Sequence, residues 1–158
     1  ITGFDGYFAR KLNQTSSFGA WFDVVIDLIC RGGLWCGLYR WGYAVILVEW
    51  LTFVSTHNRG ATWKIPDNEF PDICRRVMEK GFKTPLGFIA ITGVHFLPIW
   101  LYMYEMKVSY TVLHIPWIAQ HVITLILVLC RLLALRVEVT LSFISILLSP
   151  AFAKARGH

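Results

Sequence analysis

The chain has 158 residues, 56% of them hydrophobic and 15% aromatic, with a formal net charge of +5. That is more apolar than an ordinary water-soluble domain; with a mean hydropathy of +0.54 it points to several membrane spans of about 20 residues each. The basic surplus reads as loops beside anionic lipid, not as a nucleic-acid surface, and Cys30, Cys36, Cys74 and Cys130 form no CxxC pair, which argues against zinc or disulfide frameworks and for buried thiols.

Residues 1–16 form a polar, basic opening loop carrying Arg10, Lys11, Asn13 and Gln14. The chain opens on Ile1 with no initiator Met, so the expectation is a piece that lacks its N-terminal helices. Residues 18–39 read as a first span, acidic at its start, and Arg40 and Gly42 as a tight connection. Residues 41–56 read as a second span, short and interrupted by Glu49. Residues 57–85 hold Pro66, Pro71, Pro85 and ten charged residues, a loop with a short surface helix over 72–80. Residues 86–104 and 110–130 read as the third and fourth spans, with Pro116 in the first turns of the latter. Residues 137–152 are apolar but short. Arg131 and Arg136 precede them and Lys154 and Arg156 follow, as in an interfacial or re-entrant segment. The predicted fold class is all-α, a polytopic transmembrane helix bundle forming one membrane domain over 1–158.

Charge orients these spans. Arg10, Lys11, the basic 57–85 loop, Arg131 and Arg136 fall on one side, and only the turns near Arg40 and Lys107 fall on the other. By the positive-inside rule the first side is cytoplasmic.

One pattern carries chemistry. Asp5-Gly6, Ala9-Arg10, then eight residues to Gly19, then Asp23 and Asp27, read as DGxxAR(x)8GxxxDxxxD. Asp23 and Asp27 are an i, i+4 pair and project from one helical face. Two bare carboxylates there repel and shift upward in pKa; a divalent cation removes the conflict. Mg²⁺ and similar cations take carboxylate and phosphate oxygens. Gly6 permits close backbone approach to a bulky group, and Arg10 offers a planar fork to phosphate or carboxylate. A carboxylate-rich first helical turn, complementing the dipole, explains Asp23 alone but not the whole pattern.

At these residues the chain resembles the CDP-alcohol phosphatidyltransferase family, whose signature reads DxxDGxxAR, eight residues, GxxxDxxxD. Leu12-Asn13-Gln14 and Phe18-Gly19 look most like its phosphatidylinositol synthase branch. The resemblance implies a six-helix membrane fold of which this chain holds helices three to six. It implies a two-metal site, Mg²⁺ or Mn²⁺, held by Asp5, Asp23 and Asp27. Gly6, Ala9, Arg10 and Gly19 would line the nucleotide, and Asp27 would be the catalytic base. The implied partners are a CDP-linked lipid or alcohol, a small alcohol acceptor and membrane lipids, with a homodimer compatible. The implied location is the endoplasmic reticulum or another internal membrane if the source is eukaryotic. Thr2 stands where the family has its first Asp. That change supports an alternative reading, a non-catalytic relative acting as a membrane binding or assembly protein.

Four further features are weighed. Glu49, mid-span, either helps hold the alcohol or pairs with Arg31. His95 and His121 are expected to make interhelical hydrogen bonds. Gly32, Gly33 and Gly37 are expected to admit a close helix neighbour. Trp35, Trp41, Trp50, Trp100 and Trp117 read as interface belt or helix packing.

Overall fold

The computed structural model describes residues 17–57 and 70–147. Thr2, Asp5, Gly6, Ala9, Arg10 and the end of the 137–152 segment lie outside the described residues. Among those described, every regular element is helical, as predicted: α1 (Ser17–Leu38), α2 (Gly42–His57), α3 (Asp72–Phe82), α4 (Pro85–Glu105), α5 (Val108–Thr111) and α6 (Trp117–Leu147).

The α1–α2 connection is as tight as the sequence implied. Tyr39 N–H donates to the Trp35 carbonyl at 3.0 Å and Gly42 N–H to the Tyr39 carbonyl at 2.9 Å. A Cβ on Gly42 would collide with the Trp35 carbonyl, so only glycine fits this corner. Tyr39 and Trp41 stack with ring centroids 5.0 Å apart.

The regular turns of α3 end where Lys80 and Gly81 take positive φ, 52° and 66°. This helix is not merely superficial. Cys74, Val77 and Met78 are fully buried and pack with Phe70, Ala90, Ala134, Val137 and Leu141. Its charged residues, including Asp72 and Arg75 joined at 2.6 Å, face outward. Burial pushes the Cys74 thiol up, against a smaller opposing effect of a Thr140 hydrogen bond and the Arg136 charge. The expectation of buried thiols holds for Cys74 only. Cys30 and Cys36 are exposed on α1, where nearby apolar side chains are also exposed.

Thr84 caps α4 by accepting from Gly87 N–H at 3.1 Å, with Pro85 opening the helix. The most extensive helix pairing is α4 with α6. It depends on Gly93, where a Cβ would strike the α6 backbone at Cys130 and Arg131. The close-approach glycines of α4 are therefore Gly93, against α6, and Gly87, where a Cβ would strike the Val77 and Phe82 carbonyls. Gly33 and Gly37 meet nothing within 4 Å among the described residues, and Gly32 only the Ile46 side chain at 3.7 Å.

Residues 110–147 depart most from expectation. Residues 110–116 are not the start of a long helix. They complete α5 and a turn in which His114 has φ 49°. Pro116 disfavours helix at the residue before it, and α6 begins at Trp117. From there α6 runs unbroken through Arg131 and Arg136 to Leu147, joining what the sequence divided into a span and a separate apolar segment. The dividing charges do not break it because Arg131 is buried and paired. Of the tryptophans, Trp35 and Trp100 are buried with Leu97 and Leu127 in a second core cluster, whereas Trp41 and Trp117 are exposed.

By length and composition, Pro85–Glu105 is long and apolar enough to cross a membrane, and Gly42–Thr56 is a shorter apolar helix.

Candidate active site

Asp23, Asp27 and Arg31 succeed one another at four-residue intervals on α1 and share one face, with Gly19 a turn earlier. Asp23 is exposed. Asp27 is partly open, its side chain 35% exposed, and its Oδ2 lies 3.7 Å from Nε2 of His95 on α4. That juxtaposition comes from the α1–α4 packing, which no spacing in the sequence reveals.

His95 is held in one state by its neighbours. Its Nδ1 lies 3.1 Å from the Ile91 carbonyl, an acceptor, so Nδ1 carries a proton. Its Nε2 lies 3.3 Å from Nη1 of Arg31, which can only donate. Nε2 is therefore the acceptor in this contact. His95 thus makes the predicted interhelical hydrogen bond. His121 does not: its Nδ1 bonds the Trp117 carbonyl of its own helix at 2.8 Å, and its ring meets Tyr104 of α4 edge-on.

Behind this pair the polar groups continue into the core. Arg31 Nε donates to Glu49 Oε2 at 2.8 Å. Arg131 Nη2 donates to Glu49 Oε1 at 3.1 Å, and Arg131 Nη1 to Glu138 Oε2 at 2.9 Å. The Glu49 side chain is only 2% exposed. Of the two roles weighed for Glu49, pairing with Arg31 is present, with Arg131 engaging the second oxygen. Two arginines and two glutamates balance, which is what a buried ionic cluster requires. Close by, Thr52 Oγ1 meets Ser142 Oγ at 3.0 Å and ties α2 to α6.

Arg131 and Glu138 were not singled out for this role from sequence. Their signal was their seven-residue separation, two helical turns on one face of an apolar stretch. Gly93 sets the depth of the arrangement by bringing the α4 backbone onto α6 at Arg131, two residues before His95.

The donor chemistry suits a hard divalent cation. Asp23 and Asp27 offer carboxylate oxygens one turn apart, the first exposed and the second partly so, and Asp27 faces the His95 ring. Among the described residues no three His, Cys, Asp or Glu side chains converge as a complete site. Asp5, the third expected ligand, lies outside them.

A family model described as CDP-alcohol phosphatidyltransferase matches residues 2–152, nearly the whole chain. Comparison with curated proteins and with solved structures gave no match. The family's members are integral membrane proteins, generally dependent on divalent metal, that use CDP-alcohol donors and alcohol acceptors. Nothing in the match favours the non-catalytic alternative. The all-helical fold, the acidic face of α1 and a match that extends well beyond the signature agree, and the chain belongs to the CDP-alcohol phosphatidyltransferase family, transferases of phospholipid biosynthesis.

Proposed function

We propose that this chain moves a substituted phosphate from a CDP-linked lipid to a small alcohol and releases CMP, with Asp27 as the base. The observation that carries the reading is the state of Asp27. It is partly open, shares a helix face with Asp23, and lies beside His95 at the middle of the most apolar helix. Ionisable groups at such depth face a water-filled cavity or the bundle interior and mark substrate paths.

The alcohol hydroxyl approaches phosphorus as its proton passes to an Asp27 carboxylate oxygen. The new oxygen–phosphorus bond forms, the bond to the CMP phosphate breaks, and CMP leaves as the anion. Asp23 and Asp27, with Asp5, would hold Mg²⁺ or Mn²⁺, which when bound supplies charge neutralisation at the pyrophosphate. By the family resemblance Gly6, Ala9, Arg10 and Gly19 would line the nucleotide, Arg10 offering its fork to phosphate. Leu12-Asn13-Gln14 and Phe18-Gly19 resemble the phosphatidylinositol synthase branch, which makes inositol one of the alcohols to test.

We read α1, α2, α4 and α6 as the spans and the site as cytoplasmic. Charges on α1 and α6 lower their apolarity, but Arg31, Arg131 and Glu138 are paired inside the bundle and are not presented to lipid. Basic residues of α3 and its flanks support the cytoplasmic side.

The test is CMP release from CDP-diacylglycerol by the full-length protein in nanodiscs, with Mg²⁺ or Mn²⁺ and a panel of alcohols. Asp27→Asn should lower turnover by about a hundredfold or more, the range of a lost general base. Undiminished CMP release from a folded Asp27→Asn variant would remove the basis of the proposal.

A further inference from the structure

Asp27 and Arg31 stand one turn apart on α1. An aspartate four residues before an arginine ordinarily pairs with it on a helix surface. Here Arg31 is turned elsewhere. Its Nε donates to Glu49 at 2.8 Å, and its Nη1 donates to His95 Nε2 at 3.3 Å. Among the described residues no ion pair joins Arg31 to Asp27, whose recorded contact is His95 at 3.7 Å.

The two diverting partners play different parts. Glu49 takes the Nε edge and anchors the guanidinium toward the core. Among the described residues the Nη1 end is held by His95 alone. His95 does this through Nε2, while its Nδ1 lies 3.1 Å from the Ile91 carbonyl, which fixes the ring's orientation. With no acceptor at position 95, the freed Nη1 end has the Asp27 carboxylate as the nearest strong acceptor on its own helix face. A guanidinium locked there would occupy the oxygens a substrate hydroxyl needs.

We propose that His95 is a positioning residue for the reaction at Asp27. By accepting from Arg31 it keeps the guanidinium off the carboxylate and leaves that carboxylate open to the alcohol. The proposal rests on the reading of Asp27 as the base.

The experiment compares CMP release by full-length His95→Leu, His95→Gln, His95→Leu/Arg31→Met and Asp27→Asn in nanodiscs, with thermal midpoints alongside. His95→Leu should lower kcat by about tenfold or more. KM for the CDP-linked donor should shift by less than about threefold, since donor binding is not the step disturbed. His95→Gln should recover most of the loss, because its amide oxygen can accept from Arg31. The double variant should also recover, because no guanidinium remains to capture Asp27. A side chain needed only for packing would not be rescued by removing Arg31. Wild-type kcat in His95→Leu, or a loss that persists in the double variant, would overturn the proposal while leaving the role of Asp27 standing. Wild-type kcat in Asp27→Asn would overturn both. If His95→Leu does not fold, His95→Met with and without Arg31→Met carries the same comparison and the same outcomes.

Discussion

Replacing Glu49 by Gln should destabilise the protein out of proportion to the change in shape. The two side chains have nearly the same volume, so no cavity is created. What changes is charge and hydrogen-bond sense. Glu49 receives Arg31 at 2.8 Å and Arg131 at 3.1 Å, one on each oxygen, in a site where its side chain is 2% exposed. In Glu49→Gln one oxygen still accepts, but the amide nitrogen points a donor at the other arginine. The cluster then carries an uncompensated positive charge in the core. Breaking a buried pair in this way costs about 3–5 kcal/mol. The lower end applies, because Arg131 keeps Glu138 and Arg31 is 13% exposed. About 3 kcal/mol corresponds to a fall of about 6–12 °C in thermal midpoint for a chain of this size. The assay is thermal unfolding of the full-length protein in a fixed detergent, wild type against Glu49→Gln. A double-mutant cycle with Arg31→Met should give a coupling of about 1–3 kcal/mol. An unchanged midpoint in Glu49→Gln, or a coupling near zero, would refute the view of Glu49 as the hub.

Gly93→Ala should lower stability in the same assay by about 1–3 kcal/mol, since a Cβ there meets α6 backbone that cannot yield without separating the helices. Gly37→Ala, which meets nothing within 4 Å, should instead raise stability by about 0.5–1 kcal/mol through helix propensity; equal responses at the two sites would contradict the assigned packing. In a variant keeping only Cys74, thiol titration at pH 7.5 should be silent until denaturant is added, because burial raises this thiol above its ordinary range. Rapid native labelling would show that α3 does not stay docked. Thr2→Asp should raise the rate of metal-dependent CMP release by about tenfold, which needs about 1.4 kcal/mol of transition-state stabilisation. No gain would make a carboxylate at that position dispensable.

The helical class, the acidic pattern and the family were legible in the sequence because each depends on local spacing. Apolar residues recur over lengths a helix needs, and Asp23 and Asp27 at i, i+4 share a face whatever surrounds them. The tight turn at Arg40 and Gly42 was legible for the same reason, since its chemistry closes over a few residues. Partnership was not legible. Nothing local says that the α4 backbone crosses α6 at Gly93, that His95 meets Asp27 across 68 positions, or that Glu49 gathers arginines from two helices. Nor could charge counting foresee one helix from Trp117 to Leu147. Hydropathy scores Arg131 as a break because it assumes each charge faces its surroundings alone. Tertiary packing supplies Glu49 and Glu138, and a paired arginine costs a buried helix far less than a solitary one.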